Sequence, residues 1–312
     1  MSSSVISDPH FHDEREAYAY VEARIWPNGP VCPHCGNADP KRIRLMQGNS
    51  TRIGVRQCNE CRKPFTVKIG TIFESSHVPL RLWLQAIHLI CSSKKGMSAN
   101  QLHRILGVTL KTVWFMGHRI REAMRDGGLA PMGGSGNVVE VDETFIGRIE
   151  GVDPKAGWVR HKNTVLTLVE RGGSARSFHI DEATKEHIVP IIIANLDRES
   201  DLMTDEAKRY EKIGKDFASH GVVDHSRKEY GYTDRKTGKK INTNTVEGYY
   251  SIFKRGMKGV YQHCQEKHLH RYLAEFDFRY SNRVKLGVND VARADRALKG
   301  AVGKRLTYQT IG

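Results

Sequence analysis

The chain is 312 residues long, which is enough for two or three domains that each bury a core. Hydrophobic residues make up 39% of it and prolines number only ten, a composition that excludes an intrinsically disordered protein. The longest apolar run, Ile188–Leu196, is too short to cross a bilayer. The N-terminus has no basic segment followed by an apolar one, so we expect no secretory signal and a cytoplasmic protein.

Basic residues outnumber acidic ones, with 49 lysines and arginines against 35 aspartates and glutamates and a net charge of +14. Such an excess favours a polyanionic partner, most simply nucleic acid. A membrane surface is the weaker alternative, because no basic amphipathic helix stands apart from the folded pattern.

Four of the six cysteines form two CxxC pairs with 22 residues between them, Cys32–Cys35 and Cys58–Cys61. Each pair can place two sulfurs on one tetrahedral ion, and Gly36 eases the turn after the first pair. Disulfides are disfavoured in a reducing cytoplasm, and a redox function for one pair would leave the other unexplained. We therefore predict one structural zinc ion on these four thiolates, and buried thiols at the other two cysteines.

Short elements surround this zinc site. An amphipathic helix is predicted from Asp13 to Trp26, followed by strands near residues 41–46, 51–57 and 64–69. These strands and their turns carry basic residues that would either contact a phosphate backbone or face solvent: Lys41, Arg42, Arg44, Arg52, Arg56, Arg62 and Lys63.

Three helices are predicted next, at Leu80–Ser92, Ala99–Leu106 and Leu110–Met124. A tight turn at Gly107 joins the last two, which is typical of a helix-turn-helix. The predicted DNA contacts on the third helix are Lys111, Arg119 and Arg121, beside Thr112, Trp114 and His118. A plain helical hairpin that links two domains is the alternative.

The pattern changes to strands after a glycine-rich linker. Three strands are predicted in a meander, followed by a helix, a strand, a helix, a strand and a long helix. This order is that of an α/β domain.

Three acids occupy positions in this domain that can converge. Asp142 lies on the first strand, Asp205 ends the strand after the first helix, and Glu247 begins a later helix. Carboxylates that meet at a strand end repel one another unless a cation joins them, and oxygen ligands suit Mg²⁺ or Mn²⁺. A pair of such ions can activate a water or a 3′-OH for phosphodiester cleavage.

The helix that begins near Asn244 has two distinct faces. At about 100° per residue, Val246, Tyr250 and Phe253 share an apolar stripe. Glu247 and Lys254 share a polar stripe that borders the core. We predict that this polar stripe faces the metal and the scissile phosphate; a solvated surface is the alternative.

Several residues near these three acids are candidates for further metal ligands. Glu140 shares the side of the strand that Asp142 faces and is a candidate second ligand. Glu143 and Glu206 are predicted to be surface acids. Asp224 and His225 end a later strand and are weaker candidates.

The chain resembles the zinc-ribbon insertion-sequence transposases of the ISXO-like group of DDE transposases, over nearly its whole length. The resemblance is specific because several motifs occur together and in order. They are WPNGPVCPHCG, QCNECRKPFTVKIGTIFE, VVEVDETFIG, MTDEAKRY, NTNTVEGYYSIFKRGMKGVY and HLHRYLAEFDFRYSNR.

The resemblance implies an RNase H-like catalytic domain with two divalent ions, which cuts and joins DNA at terminal inverted repeats. It makes Asp142 and Asp205 the first two catalytic acids. It also implies a bacterial, nucleoid-associated protein that acts as a homo-oligomer on its terminal repeats and target DNA.

The third catalytic position is open between two residues. The family pattern has Asn or Glu followed by Lys, and this helix contains both Asn244 and Glu247. We favour Glu247 as the ligand and Lys254, seven residues on, as a contact to phosphate or the DNA end. The loop at residues 148–163 is shorter than the lysine-rich loop that the resemblance leads us to expect.

The predicted fold is therefore α/β, with an RNase H-like catalytic domain preceded by a zinc ribbon and a helix-turn-helix. The predicted divisions are residues 1–78 (helix and ribbon), 79–127 (helix-turn-helix), 128–136 (linker), 137–285 (catalytic domain) and 286–312 (basic tail). The predicted function is that of a DNA transposase. The alternatives are a DNA-binding protein without catalysis and an RNase H-like nuclease that does not join strands.

Overall fold

The computed structural model describes residues 4–125, 127–157, 159–227 and 230–307 of the chain. These residues form two compact units. The first takes its described residues from Met1–Ser93, Met97–Asp126 and Val288–Gly312, and the second takes its residues from Lys94–Gly96 and Gly127–Gly287.

The described ranges contain both helices and strands, in a mixed α/β arrangement. The α-helices are α1 (Glu14–Ile25), α2 (Leu80–Ser92), α3 (Ala99–Leu106), α4 (Leu110–Met124), α5 (Lys185–Asn195), α6 (Asn244–Gly256), α7 (Glu266–Ser281) and α8 (Asp290–Lys299). The strands are β1 (Ile43–Leu45), β2 (Arg56–Cys58), β3 (Pro64–Phe65), β4 (Val138–Ile146), β5 (Asn163–Glu170), β6 (Ala175–Ile180), β7 (Asp201–Asp205), β8 (Ser219–Val223), β9 (Tyr232–Thr233) and β10 (Lys240–Ile241). No helix in these ranges combines the length and the apolar composition that a bilayer crossing requires.

The first unit contains a small three-stranded antiparallel sheet, ordered β1-β2-β3. Its core is minimal: Ile43 and Phe65 are buried with two cysteines, and Trp26 and Ile69 pack at the edge. So few apolar side chains cannot hold such a fold alone, and a cross-link at the cysteines is needed for stability.

The helices of the first unit begin and end at the residues that sequence patterns mark. Ser98 caps α3 by accepting from the Gln101 N–H, and Thr109 caps α4 in the same way through Thr112. Between them, Gly107 adopts a left-handed conformation with φ of 67°, which other residues adopt at a cost. The sequence thus dictates a helix, a three-residue turn and a second helix.

The C-terminal segment is not the weakly patterned tail that we predicted. It forms α8, capped by Asn289, in the same unit as the ribbon. Buried Arg293 on this helix donates to the Cys91 carbonyl on α2, and Ile72 donates its N–H to the Ala301 carbonyl. The last five residues of the predicted tail lie outside the described ranges.

The second unit is built on a five-stranded sheet in the order β6-β5-β4-β7-β8. β4, β5 and β6 form an antiparallel meander, whereas β7 lies parallel to β4 and β8 lies parallel to β7. α5 packs against one face, where Val139 and Val141 are fully buried. α6 and α7 cover the other face through Val246, Phe253 and Phe276, among others.

One predicted helix is missing from this unit. The segment after Asp205 forms only turns and a short 3-10 helix at Ile213–Asp216, where we expected an α-helix before the next strand. Ile213 and Phe217 nevertheless pack into the core under β7, so the apolar residues that suggested a helix are buried without forming one.

Glu140 on the central strand β4 fixes the start of α6. Its side chain is fully buried, and it accepts hydrogen bonds from the backbone N–H groups of Thr245 and Val246 at 2.7 and 2.9 Å. Arg171 donates Nε to the same carboxylate at 2.6 Å and also binds the carbonyl of Asn242 just before the helix. A buried carboxylate placed at a helix N-terminus also interacts favourably with the helix dipole.

We predict that Glu140→Gln destabilises the second unit by about 3 kcal/mol or more, because it leaves the Arg171 guanidinium without its charged partner in a buried site. Urea unfolding of the full chain measures this. Glu199→Gln, which neutralises an exposed acid in the same unit, is the matched control. Equal unfolding free energies for the two variants would contradict the anchoring role.

Candidate active site and zinc centre

The four cysteines of the ribbon converge on one point. Their sulfurs all lie within 4.8 Å of one another, with 3.6 Å between Cys32 and Cys61 and 3.7 Å between Cys35 and Cys58. A tetrahedral ion with Zn–S bonds of about 2.3 Å separates its sulfurs by roughly 3.8 Å. The donor set and its spacing therefore fit zinc, as predicted.

Both knuckles of this zinc centre turn in the same way. The residue after the second cysteine of each pair has positive φ, 76° at Gly36 and 59° at Arg62. The backbone N–H of Cys61 lowers the pKa of the Cys58 thiol, and the Asn37 side-chain amide, 3.6 Å from the sulfur, acts in the same direction. The neighbouring thiols raise the pKa of Cys35, a shift that a bound cation would offset.

In the second unit, the register of the sheet sets Asp142 beside Asp205. The parallel pairing of β4 with β7 joins Val138 to Asp201, an offset of 63 residues, and the same offset joins Asp142 to Asp205. The two aspartates therefore lie level on neighbouring strands, just beyond the last paired residues. One carboxylate oxygen each of Asp142, Asp205 and Glu143 can be chosen so that all three lie within 4.8 Å of one another.

Glu143 is not the surface acid that we predicted. Its side chain is only 3% exposed and forms an ion pair with Arg209, whose Nε lies 2.7 Å from Oε1. Alternation along β4 turns Glu143 to the face opposite Asp142, towards the segment that follows Asp205. The sequence showed the acid but not its partner, because Arg209 lies 66 residues away.

Like charge and burial act together on Asp142. Burial, together with the charges of Glu143, Asp205 and Glu247, raises the pKa of Asp142 to about 7, and the Glu143 N–H acts in the opposite direction. Carboxyls crowded in this way ionise readily only when a cation is present. Asp142, Asp205 and Glu143 are therefore the residues that could hold one.

Helix α6 lies directly over this cluster. Tyr250 donates its hydroxyl to the Asp142 carbonyl at 2.6 Å, and the Lys254 ammonium lies 5.9 Å from the centre of the Tyr250 ring. Burial lowers the pKa of half-buried Lys254, and Asp142 opposes that shift. The Lys254 charge therefore lies on the same side of the sheet as the carboxylates.

Glu247 is on this side as well, but it stands outside the 4.8 Å cluster in the described structure. Its Oε1 accepts from the Thr243 hydroxyl at 3.0 Å and lies 3.7 Å from Nε2 of His225. Its side chain is 47% exposed. Asn244, the alternative third residue, is exposed at the first position of α6.

The remaining candidate acids differ in their burial and in their partners. Glu140 is not a ligand candidate, because both of its oxygens are engaged by Arg171 and the start of α6. Glu206 is exposed, and its carboxylate accepts the His225 N–H. Asp224 pairs with Arg227 at 3.0 Å. His225 was a weak candidate ligand in the sequence, and in the structure its ring lies near the Glu247 carboxylate.

The predicted DNA contacts on α4 are divided between surface and core. Lys111 is exposed near the start of the helix. Arg119 and Arg121 are 6% and 5% exposed, and Arg119 donates to the carbonyls of Ile72 and Glu74 at 2.8 Å. Contact of these two arginines with DNA stays a prediction; Arg119 binds backbone carbonyls within the first unit, which periodicity alone did not reveal.

Two family models match separate parts of the chain. Residues 12–64 match the transposase zinc-ribbon domain, and residues 134–281 match the ISXO2-like transposase domain. The chain is 26% identical over 286 residues to an uncharacterized protein in transposable element ISH50 of Halobacterium salinarum, a match that covers 86% of this chain and 91% of that protein.

The two matched domains occur in the order and at the places of the zinc centre and the carboxylate cluster. The chain belongs to the insertion-sequence transposases in which a zinc ribbon precedes an ISXO2-like transposase domain.

Proposed function

We propose that this transposase binds the terminal inverted repeats of an insertion sequence and catalyses metal-dependent strand cleavage and strand transfer. The observation that carries the proposal is the level placement of Asp142 and Asp205 on adjacent parallel strands, with an oxygen of each in one carboxylate cluster. A three-stranded meander continued by two parallel strands also supports an RNase H-like fold for the second unit.

In this proposal Asp142, Asp205 and Glu247 hold the catalytic Mg²⁺ or Mn²⁺. The oxygen-only donor set fits such ions, and positive charge would relieve the burial and crowding that raise the pKa of Asp142 to about 7. A bound divalent pair would neutralise charge on the scissile phosphate and lower the pKa of an attacking water or 3′-OH.

The helix α6 supplies the remaining groups. Lys254 lies on the carboxylate side of the sheet and is assigned to a phosphate or the DNA end. Glu247 is favoured over Asn244 as the third ligand because its charge acts on Asp142. Glu143, neutralised by Arg209, is assigned a supporting role beside the two aspartates.

DNA binding is assigned mainly to the first unit. The excess of basic residues, the exposed Lys111 near the start of α4 and the basic residues of the ribbon favour contacts to phosphates. Terminal repeats and target DNA are the proposed partners, bound in the cytoplasm by a homo-oligomer.

The first test removes charge from the proposed ligands while keeping their shape. Asp142→Asn, Asp205→Asn and Glu247→Gln should each retain folding and end binding, while Mg²⁺-dependent nicking and joining of labelled transposon ends fall by at least about 100-fold. Asn244→Ala should cost less than Glu247→Gln.

Glu211→Gln, which changes an exposed acid of the same unit, is the control and should be fully active. If Asn244→Ala is inactive and Glu247→Gln is active, Asn244 is the third metal ligand instead of Glu247. Nicked products without joined ones from the wild type would favour a nuclease. No cleavage at all, with end binding intact, would favour a DNA-binding protein.

The zinc centre gives a separate prediction. Purified protein should contain one zinc per chain by elemental analysis. Cys58→Ser should lose that zinc together with end binding, because the ribbon has little core of its own. Cys264→Ser, outside the ribbon, should keep both. Full end binding by zinc-free Cys58→Ser would refute a role for the ribbon in DNA recognition.

The division of α4 into an exposed lysine and buried arginines predicts two different phenotypes. Lys111→Ala should lower the slope of log affinity for the ends against log salt by about one, with unchanged thermal stability. Arg119→Ala should instead lower the melting temperature, because its guanidinium holds two buried carbonyls. An unchanged salt slope in Lys111→Ala would exclude this lysine from the interface.

A further inference from the structure

His225 connects the strand that carries Asp205 with the helix that carries Glu247. It follows β8, where Val223 pairs with Asp205, and its backbone N–H donates to Glu206 at 3.1 Å. Its ring reaches the other way, with Nε2 3.7 Å from Oε1 of Glu247. One residue thus contacts both the neighbour of the second acid and the proposed third ligand.

The hydrogen bonds around Glu247 define which nitrogen of this ring carries a proton. The Thr243 hydroxyl donates to Glu247 Oε1 at 3.0 Å, so its oxygen can only accept from His225 Nε2, which lies 3.4 Å away. Nε2 is therefore the protonated nitrogen. The same N–H group donates to the Thr243 hydroxyl, and its nitrogen lies 3.7 Å from Oε1 of Glu247, beyond hydrogen-bond distance.

We propose that His225 is a positioning residue that, together with Thr243, orients the Glu247 carboxylate for the divalent cation at Asp142 and Asp205. This inference rests on the function proposed above. Thr243 donates to Oε1 of Glu247 and is itself held by the His225 N–H, whose Nε2 lies 3.7 Å from the same oxygen, so Oε2 is left for the cation.

The need for such donors follows from the position of Glu247. Asp142 and Asp205 are short side chains on paired strands, whereas Glu247 is a long side chain that is 47% exposed. An unrestrained glutamate loses more rotamer entropy on binding an ion. Groups that orient metal ligands in this way typically change metal affinity by 10- to 100-fold.

The test measures Mn²⁺ binding to the full, zinc-loaded chain without DNA, by the electron paramagnetic resonance signal of free Mn²⁺. His225→Gln places an amide N–H near the position of Nε2, whereas His225→Asn places it near Nδ1. We expect His225→Gln to bind within about threefold of the wild type. We expect His225→Asn and His225→Ala to bind roughly 10- to 100-fold more weakly.

Thr243 supplies a matched pair in the same assay. Thr243→Ser keeps the hydroxyl and should bind Mn²⁺ as the wild type does, whereas Thr243→Val keeps the shape and should resemble His225→Asn. In a Glu247→Gln background, His225→Asn should have no further effect, because the proposed action passes through Glu247. Thermal unfolding of each variant verifies that it is folded.

The outcomes separate this inference from the proposed function. If Asp142→Asn binds Mn²⁺ as tightly as the wild type, the carboxylate site itself is refuted. If Asp142→Asn loses Mn²⁺ while folded His225→Asn and Thr243→Val retain it, only the positioning role is overturned.

Discussion

The buried carboxylate of Glu140 is the constraint on which the geometry of the second unit depends. A charge at the centre of a sheet is tolerated only when it is paired and hydrogen-bonded, and here the partners are Arg171 and the first N–H groups of α6. Because these partners lie at the start of the helix, satisfying the charge also fixes where the helix lies on β4. Tyr250, farther along α6, then reaches the Asp142 carbonyl. This attachment, together with the packing of Val246 and Phe253 on the sheet, sets where the polar stripe of α6 lies.

The cluster itself is electrostatically unfavourable as it stands. Three carboxylates share one strand end, and Glu143 among them is paired with Arg209. Burial and its neighbours raise the pKa of Asp142 to about 7, which is the response of a site with too much negative charge. The surrounding sheet, with Val139, Val141 and Leu202 fully buried, is rigid enough to hold this arrangement. The core thus maintains a cluster of carboxylates whose repulsion a bound cation would relieve.

The sequence predicted those features that depend on local pattern. The bounds of α2, α3 and α4 match the expected ones, since apolar periodicity and caps are encoded within a few residues. The strands β4 to β8 and the convergence of the four cysteines were predicted for the same reason. What the sequence did not reveal depends on distant partners: the burial of Glu143 by Arg209, the contact of Arg119 with the carbonyls near Ile72, and the helical C-terminal segment. A charged residue on a periodic face looks the same in the sequence whether its partner is solvent or a buried carbonyl.

The three acids differ in how much of their position is fixed by the backbone. Asp142 and Asp205 have short side chains, and strand pairing sets their separation almost completely. Glu247 has a longer side chain on a helix whose backbone is anchored by Glu140, so only its own torsions remain to be set. The donors that would set them, Thr243 and His225, come from just before the helix and from the end of β8. The anchor therefore brings α6 to the sheet, and the direction of the Glu247 carboxylate is left to side-chain contacts. A sequence pattern marks Glu247 on its helix and His225 after its strand, but it does not show that the two side chains meet.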